Sequence, residues 1–203
     1  MRKMYLTAAL VAVLGIILTG CASAPTQEIE ATKTALSAVQ TDDVKEYAPE
    51  SLLAAEEEMN RALAELQTQE AKSAFSRDFK QVSEMLISTK SLAEKALADA
   101  EAAKAKAKAD AEVLIAELPF IIEEAKTALA KAPRGKGTKA DLEAMQNDLN
   151  LAEESRLQAV DAVAQQNYKD ALVKANSAKE KASMVTSQIQ AALDKTAAGR
   201  ARN

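Results

Sequence analysis

Histidine and tryptophan are absent from this 203-residue chain, cysteine occurs once, and aromatic residues make up 3% of it. Each shortage closes a class of chemistry. Without histidine there is no Ser-His-Asp or Cys-His arrangement. A single thiol forms neither an internal disulfide nor a multi-thiolate zinc site. Glycine is scarce too, at five residues, and no phosphate-cradling glycine pattern occurs; Gly135-Lys136-Gly137 is too short and no strand precedes it. The sequence therefore singles out no catalytic residue, no metal site and no cofactor motif. A carboxylate-only enzyme is not excluded, but no carboxylate stands out for it.

What is present is alanine, glutamate, lysine, leucine and glutamine, all strong helix formers. Four prolines, Pro25, Pro49, Pro119 and Pro133, leave few places for the chain to break. This composition predicts an all-α fold, an elongated antiparallel helical bundle of coiled-coil character. A first helix is expected from Thr26–Glu28 to about Thr41, with Thr26 as its cap, and a second from Pro49, well suited to a first helical turn. Leu52, Ala55, Met59, Ala62 and Leu66 mark its inner face. After a turn at Ser73 to Asp78, the series Phe79, Val82, Leu86, Thr89, Ala93, Ala96, Ala100, Ala103, Ala107 continues the three- and four-residue steps. Alanine contributes little area at about 25 cal/mol per Å², so Glu101 to Glu112 is expected to be weakly packed or to project. Leu118-Pro119 should break the helix. A short helix over 120–131, a loop at 132–137, a helix capped by Thr138 and Asp141, a turn at Gln165-Gln166-Asn167 and a helix from Tyr168 to about Ala192 complete the reading.

The two halves repeat. Lys33-Thr34-Ala35-Leu36 recurs as Lys126-Thr127-Ala128-Leu129; Leu52, Ala54, Met59-Asn60 and Ala62 match Leu142, Ala144, Leu149-Asn150 and Ala152; Asp78-Phe79-Lys80 matches Asn167-Tyr168-Lys169. Each copy reads as one short and two long helices, giving units at 29–118 and 119–195 with a frayed tail at 196–203.

The N-terminus has a different character. Arg2 and Lys3 precede an apolar run from Leu6 to Leu18, about 13 residues against the roughly 17–25 of a membrane-spanning helix. Leu18-Thr19-Gly20-Cys21 follows. The pattern is that of a signal peptide over residues 1–20, and its last residues with Cys21 resemble the lipobox of bacterial lipoproteins. That resemblance implies cleavage between Gly20 and Cys21 and acylation of Cys21, with residues 21–28 as a tether. Ala22, where aspartate would favour the inner membrane, implies the outer membrane. More than one acyl chain is needed because a single chain binds membranes only marginally. Cleavage would remove two basic residues, leaving 24 basic against 30 acidic and a net charge of −6. An acidic chain does not suit nucleic acid.

Asp43-Val44-Lys45-Glu46-Tyr47-Ala48-Pro49-Glu50-Ser51-Leu52, then Ala55-Glu56 and Asp78-Phe79, resembles an uncharacterised family of alanine-rich envelope lipoproteins whose domain has no assigned function. The resemblance covers about residues 28–110, and more weakly 120–195, where the Tyr-Ala-Pro motif is missing. It supplies no activity. The expected function is a lipid-anchored periplasmic structural or interaction protein with an envelope protein partner, able to self-associate through its seams. The second reading is a carrier or pilot for an apolar ligand or an envelope protein. Glu56-Glu57-Glu58 and Lys104, Lys106 and Lys108 read as solvated faces, and the loop Arg134 to Lys139 as solvated rather than lipid-binding. Phe75, Phe79 and Tyr168 read as local core beside turns.

Overall fold

The computed structural model of the chain describes residues 23–134 and 138–200. Six α-helices and one 3-10 turn account for nearly all of them, with no strand among the described residues. They are α1 (Thr26–Val39), α2 (Asp42–Tyr47), α3 (Pro49–Glu70), the 3-10 turn (Ala74–Ser76), α4 (Lys80–Ala130), α5 (Lys139–Ala164) and α6 (Tyr168–Arg200). The expected all-α helical bundle is what the chain forms. Two compact units divide between Ala103 and Lys104. The expected boundary at 118/119 is therefore displaced, for a reason that lies in α4.

Pro119 does not end a helix; it lies inside the 51-residue α4. Proline lacks the N–H that would bond the Ile115 carbonyl, and its ring crowds that turn, a cost of about 3 kcal/mol. The neighbours offset it. Leu114, Leu118, Ile122 and Ala125 are all buried in one cluster with Leu149, Ala178, Val185 and Ile189, while Pro119 itself faces solvent. Ending the helix at Leu118 would pull that face out of the core, so tertiary burial overrides the local break. The short helix expected over 120–131 is the end of α4.

Buried positions on α4 step by three and four as 82, 86, 89, 93, 96 and 100, then continue as 107, 111, 114, 118, 122 and 125. The first series keeps the seven-residue spacing of a left-handed coiled-coil seam. From Ala100 to Ala111 to Ile122 the spacing is eleven, which favours the opposite or no supercoil. The change falls where the two units divide. Ala111 is fully buried against Ala162 and Ala171, so the end of the alanine stretch expected to project is packed. Two threonines interrupt the apolar faces of unit 1, and both are satisfied locally: Thr32 Oγ1 donates to the Glu28 carbonyl and Thr89 Oγ1 to the Met85 carbonyl.

The repeat is visible in burial. Phe79, Val82, Leu86, Thr89, Ala93, Ala96 and Ala100 are buried, and so are the residues 89 positions later: Tyr168, Ala171, Ala175, Ala178, Ala182, Val185 and Ile189. Met59 and Ala62 pair likewise with Leu149 and Ala152, and Ile29 and Val39 with Ile122 and Ala132. Thus α1, α3 and the start of α4 correspond to the end of α4, α5 and α6. The copies differ at their ends. Helix α6 continues as helix through Thr196, whose hydroxyl bonds the Ala192 carbonyl, so the fraying expected from 196 is not seen up to Arg200. Helix α2, capped by the Thr41 hydroxyl accepting from the Val44 N–H, is an addition to the sequence reading. Thr26 is not a cap but the first residue of α1, behind Pro25, and Thr138 precedes α5 without a side-chain capping bond.

The long-helix turns also differ. In unit 2 the turn is three residues long. The Asn167 N–H bonds the Ala162 carbonyl and the Gln166 N–H bonds the Val163 carbonyl, a Schellman closure. Gln166 takes the left-handed position with φ 63°, where glycine is normally found.

Two substitutions should therefore raise stability. Pro119→Ala restores the missing donor on an exposed face and should add about 1–3 kcal/mol. Gln166→Gly removes left-handed strain at an exposed site and should add about 0.5–1 kcal/mol. Urea denaturation followed by circular dichroism measures both; a Pro119→Ala protein no more stable than the parent would show that the helix accommodates proline without loss.

Candidate functional site

The sequence-derived site, Gly20 and Cys21, lies outside the described residues. The described chain begins at Ser23, and α1 begins at Thr26, so only Ser23-Ala24-Pro25 separates the helical unit from Ala22. The lead into the helix is shorter than the expected 21–28. The Thr26 N–H bonds the Ala24 carbonyl and the Ile29 N–H the Pro25 carbonyl, so the helix is engaged at once.

Helix α1 contacts α3 and buries one face, Ile29, Thr32, Leu36 and Val39. At its far end the Gln40 side chain donates to Glu56 Oε1 at 2.6 Å. Only residues 40–48, with α2 among them, connect α1 to α3, and so short a link makes the two antiparallel. Ser51 Oγ donates to Asp99 Oδ2 at 2.5 Å, pinning the start of α3 to α4. The hydrogen bonds from Lys95 and then Ser51 hold the Asp99 carboxyl below its ordinary range.

The turn at 71–79 is closed by side chains rather than by a left-handed residue. Arg77 donates from Nε to the Lys72 carbonyl at 3.1 Å and from Nη2 to the Glu70 carbonyl at 2.9 Å, satisfying orphan carbonyls at the end of α3. Buried Gln69 accepts from the Asp78 N–H and from Lys72 Nζ, each at 3.0 Å. Asp78 Oδ1 accepts from the Lys80 N–H, and the Ser73 and Ser76 hydroxyls bond each other. Phe79 and Tyr168 are buried as expected, at 7% and 8% exposure, but Phe75 is 93% exposed. The core reading of Phe75 is corrected. The seam passes from Gln69 to Phe79, and Phe75, in the 3-10 turn between them, has no seam position. That missing place in the stepping was the available signal.

The lysines of the charged clusters lie on a solvated face as expected, but the reading of Glu56-Glu57-Glu58 as one solvated face is corrected at Glu58, which is buried. Glu56 is half-buried and accepts from Gln40, Glu57 is exposed, and buried Glu58 pairs with Arg61, so three neighbouring carboxylates take separate environments. Lys106 and Lys108 pair along the helix with Asp110 and Glu112. No group of three or more acidic or cysteine side chains capable of holding a metal occurs among the described residues. A hollow lined by Leu129, Arg134, Thr138, Lys139, Leu142, Glu143 and Gln146 holds about 370 Å³ and is edged by charge, whereas a more apolar one lined by Ala132, Pro133, Leu142, Met145 and Ile189, with Thr138 and Asp141 at its rim, holds about 70 Å³, against roughly 300–1,000 Å³ for small-molecule sites. No described helix is long and apolar enough to cross a membrane.

An ion pair joins separate helices in unit 2: Lys126 Nζ on α4 to Glu153 Oε1 on α5 at 3.0 Å, with Arg156 Nε on Glu153 Oε2 at 2.9 Å. Sequence reading missed it. The position matching Glu153 in unit 1 is Leu63, and Lys33 there pairs with Glu30 instead. The hydrogen bonds from Arg156 and then Lys126 hold the Glu153 carboxyl below its ordinary range.

Compared with known proteins, the chain matches no family model, no curated protein and no solved structure.

A carboxyl whose pKa is lowered by folding stabilises the protein above its unfolded-state pKa, and loses that contribution as pH falls through the folded value. Glu153 is about one-third exposed, at 34%, and solvent screening keeps its contribution below about 1 kcal/mol. Glu153→Gln should therefore be less stable than the parent at neutral pH, and the two should converge below the ordinary glutamate range. Urea midpoints at neutral and acidic pH test this; a gap that stays constant with pH would refute the assignment.

Proposed function

We propose that this chain is a lipid-anchored protein of the bacterial envelope, held at the periplasmic face of the outer membrane by acyl chains on Cys21, and that it works by presenting helical surfaces to an envelope partner rather than by catalysis. The observation that carries the reading is Leu18-Thr19-Gly20-Cys21 at the end of a short apolar run. Ala22 alone stands between Cys21 and the Ser23-Ala24-Pro25 lead into α1. A mature chain beginning at Cys21 would pass almost directly from its acyl chains into a helical unit.

The surfaces fit an interaction role. Val113, on α4, is 61% exposed and Phe120, seven residues on, is 75% exposed, so both lie on one face. Val173 on α6 is 65% exposed. Apolar side chains in this arrangement suit a protein partner or a second copy of the chain. A small apolar ligand is less well served, because the hollow of about 370 Å³ in unit 2 is edged by Arg134, Lys139 and Glu143 and the more apolar one holds about 70 Å³. The reading agrees with the resemblance to alanine-rich envelope lipoproteins carried by Tyr47-Ala48-Pro49 and its flanks.

In the producing bacterium, globomycin should cause the unprocessed precursor to accumulate, and Cys21→Ser should abolish both acylation and processing. Mass spectrometry of the N-terminal peptide reads both. Normal processing of the Cys21→Ser protein would sink the anchoring claim.

A further inference from the structure

The turn between α3 and α4 lies beside the place where the tether leaves unit 1. Gln40 is bonded to Glu56, and the link over residues 40–48 is short enough that α1 is taken to lie antiparallel to α3. Both helices rise 1.5 Å per residue, so the fourteen steps back from Gln40 to Thr26 match fourteen steps forward from Glu56 to Glu70. Thr26 is thus level with the last residue of α3. Unit 2 supports this register. Seven steps from the Gln40–Glu56 bond the same alignment sets Lys33 level with Leu63, and their counterparts Lys126 and Glu153 are in direct contact. From Thr26 the chain has five residues to Cys21, a reach of at most about 18 Å at 3.3–3.6 Å per residue.

The turn has the makeup of a membrane contact. Ala71 to Ser76 are all exposed, and Phe75 projects from them at 93% exposure. Residues 71–77 contain two basic side chains, Lys72 and Arg77, and no acidic one; Glu70 and Asp78 stand at the flanking helix ends. The hydrogen bonds of Arg77, Gln69 and the two serines close the backbone inward, so a fixed loop presents a bare aromatic ring to its surroundings. Aromatic rings settle at the headgroup level of bilayers, and neighbouring cations favour anionic headgroups. Phe120 is nearly as exposed but has Glu117, Glu123 and Glu124 as neighbours and no basic residue from 116 to 124, which suits it poorly to the same surface.

We infer that Phe75, flanked by Lys72 and Arg77, is a second membrane contact that enters the phospholipid leaflet holding the Cys21 acyl chains. The inference rests on the anchoring reading. Its consequence is orientation: an acylated N-terminus alone leaves a domain free to swing, whereas two contacts set the end of unit 1 against the bilayer.

The chain contains no tryptophan, so Phe75→Trp gives a single reporter. The acylated full-length protein is reconstituted into phosphatidylethanolamine–phosphatidylglycerol vesicles with and without brominated acyl chains, beside a separate Phe120→Trp protein. Indole emission of the Phe75→Trp protein should shift to the blue and be quenched by the brominated lipid, while that of the Phe120→Trp protein should remain water-exposed and unquenched. Vesicle flotation and the mass of the Cys21 peptide read the anchor separately. A floating, acylated Phe75→Trp protein whose emission is unshifted and unquenched overturns this inference and leaves the anchor standing; so does equal quenching of the two proteins. A Cys21 without acyl chains overturns both.

Discussion

Alanine holds most of the buried positions described in unit 2 and takes over the seam of unit 1 from Ala93 to Ala100, and this constraint organises much else. A methyl group at Ala93, Ala96, Ala100, Ala175, Ala178 or Ala182 lets neighbouring backbones approach closely. It also means that no single position supplies much burial, so stability must be spread along the helices. The larger side chains gather in short stretches: Leu114, Leu118, Ile122, Leu149, Val185 and Ile189 in unit 2, and Val44, Leu52, Met59, Val82 and Leu86 in unit 1. Between those stretches the seam excludes bulk. A hydroxyl on the seam, such as that of Thr89, is admitted where the preceding helical turn supplies an acceptor.

The duplicated pattern shows which features the architecture requires and which each copy settled separately. Burial along the seam from Phe79 to Ala100 recurs position for position from Tyr168 to Ile189, because the spacing of the seam cannot drift without exposing it. The turns did drift. Unit 1 closes a nine-residue turn with Arg77 and Gln69, whereas unit 2 closes a three-residue turn with backbone bonds around Gln166. The cross-helix ion pair Lys126–Glu153 has a lysine at the matching place in unit 1 but a leucine, Leu63, where the acid would be. Solvent-side interactions contribute little individually, so they are the parts that two copies can change independently.

The same division explains what could be read from the sequence. Helix type, the starts of α1, α3 and α6, and the inward residues followed from composition and three-four stepping, because each buried face has to repeat at the helical period. Pro119 misled because its penalty is local while the burial of Leu118 and Ile122 depends on α5 and α6. Phe75 misled in the opposite sense: an aromatic beside a turn suggests local core, yet its register gives it no neighbour. The cross-helix contacts of Glu153 and Asp99 depend on axial alignment between helices, which the periodicity of one helix does not contain. Cys21 carries its meaning in the residues just before it, and that meaning is chemical rather than conformational.

The alanine seam also shapes how the protein responds to temperature. Unfolding raises the heat capacity in proportion to the apolar surface it exposes, typically by about 12–15 cal/mol/K per residue. A core built from methyl groups hides less such surface per residue than one built from leucine and phenylalanine. The heat-capacity increment of this chain should therefore fall at or below the low end of that range, and a smaller increment flattens the curve of stability against temperature. The small side chains that let the helices lie close thus also make their association comparatively indifferent to cooling.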